Sequence, residues 1–314
     1  MPQVALLLLM LLVPSEAALA QLGRVVQRRP ANILLDSYRL YEPKGKPVGL
    51  LVLLPGGAAT HDEFGPDGST PSTLPARLAS VPMVTIVPGS GPGSWLNDRW
   101  LEQLDMVVAE TLKTYDLPRD RVVIGGFSGG GTGAVQYAEY CAAGRSAARI
   151  KVRGVFAADA PLDLARLWRG ETLAIARGAH AGFVAEAKMV LGLLREVLGG
   201  PPEEHAARYL EVSPVSPFAK GGGQAALLRN VAVRLYTEPD VDWWMANRQV
   251  DYYSMNALDA AALITQLQLM GHKQAELITT HGRGFRPGGK RHPHSWSIID
   301  EEELAGWIRD RVNT

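Results

Sequence analysis

The sequence predicts an α/β protein: a mostly parallel sheet flanked by helices, with a helical insertion in its second half. Three observations predict it. Short Val/Ile/Leu runs alternate with helical patterns along most of the 314 residues, as strands joined by crossover helices do. Several of these runs are nearly continuous, as expected of strands covered on both faces. One stretch between strands, about 164–230, is far longer than a crossover requires.

In chain order, the first element is an address. Val4 to Val13 is an unbroken apolar run of ten residues, about 15 Å as a helix against roughly 30 Å of hydrocarbon, so it is too short to span a membrane. Ala18-Leu19-Ala20 follows, the small-x-small pattern of a signal-peptide cleavage site, although no Lys or Arg precedes the apolar run. The expected organisation is a signal peptide at 1–20 and a single domain at 21–314 carrying the insertion at about 164–230. No cysteine stands directly after the apolar run, and the chain has only Cys141, which suits a secreted or periplasmic protein without a disulfide framework.

The strands expected next are Ile33–Tyr41, Val48–Leu54 and Met83–Val87. Leu101, Leu104, Val108, Leu112 and Tyr115 then recur at helical spacing, with Asn97 or Asp98 placed to cap the first turn. Val122–Gly126 is a strand that runs into a helix over Gly133–Ala142, and Val152–Ala157 is a further strand. Within the insertion, Phe183, Ala187, Val190, Leu194 and Val197 form a helical stripe that stops at Gly199-Gly200-Pro201-Pro202. This helix either packs on the sheet or covers the site as a lid. Strands at Val231–Tyr236 and Ala275–Thr279 bracket a helix carrying Leu263, Leu267 and Met270 and ended by Gly271. The last helix opens with Asp300 and Glu303 in capping-box spacing and buries Leu304, Trp307 and Ile308.

The motif that carries chemistry is Gly126-Phe127-Ser128-Gly129-Gly130, directly after a strand and before a helix. A nucleophile elbow forces its serine into strained backbone angles, and flanking glycines let strand and helix approach closely. Ser128 would stand at a helix amino terminus, where free N–H groups favour developing negative charge. Neither a Gly-x-Gly-x-x-Gly at the first strand nor a Lys after the last glycine is present, so a phosphate-cradling loop is disfavoured.

A serine hydroxyl needs a base, and the base an orienting acid. Of seven histidines, His292 and His294 lie after the final strand and before the final helix. His294, followed by Ser295-Trp296, is the expected base. The expected acid is Asp240, in the Glu-Pro-Asp turn after the strand ending at Tyr236, with Asp242, Glu238 and Asp163 as rivals. The small-residue loop Pro55-Gly56-Gly57 is expected to aim the Gly57 N–H at an oxyanion beside that of Gly129. Trp243, Trp244 and Trp296, adjacent to these groups, are candidate walls of a substrate pocket or ordinary core.

These residues resemble the α/β-hydrolase superfamily, in particular secreted bacterial esterase-like and depolymerase-like serine hydrolases. The resemblance is strongest over Tyr115-Asp-Leu-Pro-Arg-Asp-Arg-Val-Val-Ile-Gly-Gly-Phe-Ser128-Gly-Gly and His294-Ser-Trp. It implies a mostly parallel sheet, nucleophile Ser128, acid Asp240, base His294 and a cap made by the insertion. Pro55-Gly56-Gly57 departs from the frequent His-Gly at the oxyanion loop. The implied activity is cleavage of an ester, or of a peptide or amide, through an acyl-enzyme. Acyl transfer by the same triad and a catalytically silent binding protein are the alternatives.

Composition narrows the partners. Lys plus Arg and Asp plus Glu number 32 each, so no net field draws the chain to nucleic acid or to an anionic membrane once the leader is removed. His292-Pro-His294 has metal-ligand spacing but no further ligands beside it, so neither metal nor cofactor is expected. The expected partner is a small-molecule or polymeric ester.

Overall fold

The computed structural model describes residues 23–27, 35–57, 59–78, 81–89, 91 and 93–313. The apolar leader, the cleavage site after Ala20, and Ile33 and Leu34 of the first expected strand lie outside the described residues. Strands β1 (Arg24–Gln27), β2 (Ser37–Tyr41), β3 (Gly49–Leu54), β4 (Met83–Pro88), β5 (Val122–Phe127), β6 (Val152–Ala158), β7 (Ala232–Thr237) and β8 (Ala275–Thr279) form one sheet in the order β1-β2-β4-β3-β5-β6-β7-β8. The pairings from β4 through β8 are parallel, whereas β2 runs antiparallel to both β1 and β4. Every residue of β3, β4, β5 and β7 is buried, which explains why their sequences lack a polar alternation.

Helices cover both faces. α1 (Asp98–Thr114), with Asn97 Oδ1 accepting from the Arg99 N–H at 2.9 Å, and α2 (Gly129–Ala142) contribute to the larger core, around Trp100, Leu104, Val108 and Tyr137. The insertion supplies α3 (Leu164–Ala176), α4 (Ala181–Leu198) and α5 (Ala206–Val212). After β7 come α6 (Val241–Arg248) and α7 (Ala257–Leu269), the latter on the same face as α2. α8 (Glu301–Asn313) closes the opposite face, where Trp307 and Ile308 meet Val123 and Phe156. Its Glu303 N–H donates to Asp300 Oδ1 at 3.2 Å, the cap anticipated from spacing.

α4 does not pack on the sheet. Leu194 and Leu198 join a separate apolar cluster with Leu164, Leu167 and Trp168 of α3 and with Trp95 and Leu96, while Phe183 packs beside Trp244. α4 ends at Gly199, which adopts φ 95° as a left-handed C-cap. The insertion is therefore a helical layer over the carboxyl edge of the sheet, anchored where the buried Arg166 of α3 donates through Nε to Asp259 Oδ1 of α7 at 2.7 Å. The structure adds elements not expected from the sequence: α3, α5 and α6, the short edge strand β1, and a two-residue hairpin, β9 (Phe285–Arg286) with β10 (Lys290–Arg291). Among the described residues, no helix is long and apolar enough to cross a membrane.

Candidate active site

The site is built where β5 and β6 end side by side. Ser128 follows β5 with φ 53° and ψ −127°, and the chain turns at once into α2. A Cβ on Gly126 would lie 2.6 Å from the Gly130 backbone, and one on Gly130 would lie 2.2 Å from the Pro55 carbonyl oxygen. Only glycine fits at either position, so strand, helix and the Pro55-Gly56-Gly57 loop crowd against one another around the serine. The ladder continues one step beyond the strands: Ser128 N–H donates to the Ala158 carbonyl at 2.9 Å and Asp159 N–H to the Tyr236 carbonyl at 2.8 Å. Both side chains are thus fixed at one edge of the sheet.

His294 lies between them. Its Nε2 is 3.1 Å from Ser128 Oγ and its Nδ1 is 2.6 Å from Asp159 Oδ2. Asp159 is buried, with φ 43°, and Thr237 Oγ1 donates to its other oxygen at 3.3 Å. The imidazole lies against Phe127, with ring centroids 4.7 Å apart. Trp296 anchors the loop two residues on: it is buried, sits edge-on to Phe64 at 4.9 Å, and donates from Nε1 to Glu301 Oε1 at 2.6 Å.

The carboxylate beside the imidazole is Asp159, and the expectation of Asp240 is corrected. Asp240 caps α6, accepting from the Trp243 N–H at 3.0 Å, and pairs with Arg291 at 2.6 Å. Its rivals are also committed elsewhere. Glu238 is buried, accepts from the Arg283 N–H at 2.9 Å and pairs with Arg291. Asp163 caps α3 by accepting from Ala165 and Arg166 N–H, and Asp242 is exposed in the first turn of α6. Glu238 and Asp240, through Arg291, tie down the loop that delivers His294. The sequence signal for Asp159 is its position: Ala157-Ala158-Asp159-Ala160-Pro161 places an acid at the end of the strand following the serine strand, in the order Ser, Asp, His.

His292 is separated from the serine. It is buried against Trp243 at 4.8 Å between ring centroids, and its Nε2 lies 2.9 Å from Arg248 Nη2. Burial, with the neighbouring Arg286 charge, pushes its imidazole down to about 3. Gly57, at φ 59°, and Gly129, the first residue of α2, both face a cavity shared with Ser128. The first N–H groups of a helix have no partner within it, so that of Gly129 is available to an oxyanion.

Two cavities meet at Ser128, His294, Gly57 and Glu186. One, of about 340 Å³, runs under the insertion and is walled by Trp95, Leu167, Phe183, Val190, Leu193 and Trp244. The other, of about 310 Å³, opens past Glu63, Ser69, Thr70, Arg286 and Trp296 and is more polar in its residues. Of the three candidate tryptophans, Trp244 lines the first and Trp296 the second, while Trp243 lines neither and packs on His292 and Trp244. Chemically, the arrangement presents a hydroxyl to an imidazole acceptor at a helix amino terminus.

The chain has the α/β-hydrolase fold, and solved structures agree over nearly its whole length. It is similar to MPT51 (FbpC1) of Mycobacterium tuberculosis at 15% identity and a TM-score of 0.59, covering 93% of this chain and 98% of that one. It is also similar to EstE7, a hormone-sensitive lipase homologue from a metagenome library, at 15% identity and a TM-score of 0.57, covering 94% and 91%. An S-formylglutathione hydrolase from Agrobacterium tumefaciens aligns at 13% identity with a TM-score of 0.52, covering 92% and 94%. No family model and no curated protein matches the sequence. At these identities the likeness is one of fold.

Proposed function

We propose that the protein is a serine hydrolase that cleaves carboxylic esters through an acyl-enzyme, with Ser128 as nucleophile, His294 as general base and Asp159 as its orienting acid. The observation that carries the reading is the placement of one imidazole within hydrogen-bond reach of both Ser128 Oγ and Asp159 Oδ2. Neutral His294 accepts the hydroxyl proton at Nε2 as Oγ bonds to the carbonyl carbon. The carbonyl oxygen takes the electron pair and is met by backbone N–H groups of Gly129 and Gly57. Collapse breaks the bond to the alcohol oxygen, which leaves with the proton from Nε2, and water repeats the sequence to free the acid. Asp159 stays ionised, holds the tautomer with Nδ1 protonated, and stabilises the transient imidazolium.

Support also comes from Ser128 itself, since a non-glycine residue in this backbone region costs about 1–3 kcal/mol and such residues cluster at functional sites. The hormone-sensitive lipase and the S-formylglutathione hydrolase among the structures of similar fold are consistent with the same reading. The test is a fluorophosphonate probe with intact-mass detection: one adduct is expected on the wild type and none on Ser128→Ala. Labelling that survives this substitution sinks the proposal. The leader at 4–13 further leads us to propose export, with cleavage after Ala20.

A further inference from the structure

We infer that the cavity beneath the insertion takes the half of the substrate that is apolar along its length and ends in an ammonium group, with Glu171 as its counter-ion. The substrate half rests on the hydrolase reading; the ligand preference of the cavity does not. Among the described residues, four acidic side chains line this cavity, Asp159, Glu171, Glu186 and Glu238, and no Lys or Arg does. Asp159 and Glu238 are engaged as described above. Glu171, on α3, is buried, and its Oε2 has no hydrogen-bond partner. That oxygen is itself shut off from solvent, so a donor from a ligand in the cavity meets the Glu171 side chain at the cavity wall, where a carboxyl with unfilled hydrogen-bonding capacity gains from it.

The Arg166 charge favours the ionised form of Glu171 but makes no hydrogen bond to it. Arg166 also lies on α3, but its guanidinium pairs with Asp259 and donates to Asn256 Oδ1 at 3.1 Å. Glu186, exposed on α4, lines both cavities, and its carboxylate raises the Glu171 carboxyl beyond the effect of burial. A ligand carboxylate would therefore meet repulsion from Glu186, and from Glu171 wherever that group is ionised. A methyl end would strip solvent from Glu171 and return nothing, whereas a hydroxyl would hydrogen-bond. An ammonium ionises Glu171, pairs with it, and shares the cavity with the aromatic residues Trp95, Phe183 and Trp244, whose rings attract cations. The expected order is ammonium, hydroxyl, methyl, carboxylate.

Two measurements on the full chain test this. In the first, hexylammonium, hexanol and hexanoate are titrated by thermal shift and tryptophan fluorescence. Hexylammonium should bind about 10- to 100-fold tighter than hexanol, and hexanoate weakest. In the second, kcat/KM is compared between ω-amino and methyl-terminated p-nitrophenyl alkanoates of increasing length, and between the corresponding aminoalkyl and alkyl acetates. One of the two series should favour the amine by a similar factor. Glu171→Gln should collapse that ratio to within about threefold and Glu171→Met should invert it, for binding and for turnover alike. If the wild type prefers the methyl or carboxylate end in both measurements, or if Glu171→Met leaves the ratio unchanged, the inference is wrong. Turnover of plain p-nitrophenyl acetate by the wild type reports on the hydrolase reading separately, because it carries no end group, and the binding titration judges the cavity even if no ester is cleaved.

Discussion

His294 Nδ1 lies 2.6 Å from Asp159 Oδ2, while Asp240, which closes the turn after the next strand, points instead to Arg291 at 2.6 Å. The two carboxylates stand at the ends of adjacent strands, yet only one reaches the imidazole. Substitution separates their roles. Asp159→Asn should lower kcat on the order of 10⁴-fold through the wrong imidazole tautomer. Asp240→Asn should keep most of the turnover and instead lower thermal stability by about 1 kcal/mol, from a weakened cap and a lost ion pair. Steady-state kinetics beside thermal denaturation distinguishes them, and a dead Asp240→Asn with an active Asp159→Asn would refute the assignment.

The backbone of Ser128, at φ 53° and ψ −127°, predicts an unusual ranking of stabilities. Ser128→Gly should be more stable than Ser128→Ala by about 1 kcal/mol, because glycine relieves the strain that alanine retains and only part of that gain is lost to the freer unfolded chain. Elsewhere in α2 the same pair of substitutions would rank the other way. Chemical denaturation of the two inactive variants, which need no substrate, makes the comparison.

Glu171 sets a pH dependence of stability. Burial, with the Glu186 carboxylate, pushes its carboxyl up from 4.5 to about 7. Between those values the native state holds a proton that the unfolded chain releases, so stability falls as pH rises through this window and levels off above it. The penalty above pH 7 is on the order of 3 kcal/mol. Glu171→Gln should therefore raise the melting temperature at pH 8 and change it little at pH 4. Equal shifts at both values would show that the carboxyl is not held protonated.

A buried ion pair ties the insertion to α7. Arg166 and Asp259 are 4% and 1% exposed, and Asp259 Oδ2 also accepts from the Leu162 and Asp163 N–H groups at 2.9 and 3.1 Å. Arg166→Ala leaves an uncompensated buried carboxylate and should cost about 3–5 kcal/mol. Hydrogen exchange should show the loss concentrated in α3 and in the 159–163 turn, and protection unchanged there would contradict this role.

For export, the amino terminus of the secreted protein should be Gln21, read by intact mass. A secreted product still beginning at Met1 would contradict cleavage after Ala20.

The periodicities that make strands and crossover helices are local properties, so the parallel sheet, its flanking helices and the strand–serine–helix elbow could be read from the chain directly. Ser128 was legible because a close approach of strand to helix demands glycines at fixed offsets, and that demand is written in Gly126 and Gly130. His294 was legible because Trp296, two residues on, had to anchor the loop. The choice of acid was not, since β6 and β7 end at the same edge, each followed within a few residues by carboxylates, and every one of them can serve a cap or an ion pair as readily as an imidazole. Only the three-dimensional register, with Asp159 drawn one ladder step beyond β6 while Asp240 turns into α6, decides which one faces His294. Glu171 illustrates the same limit: its burial on a cavity wall depends on how α3, α4 and α6 close over the sheet, which is a property of contacts between segments far apart in the chain.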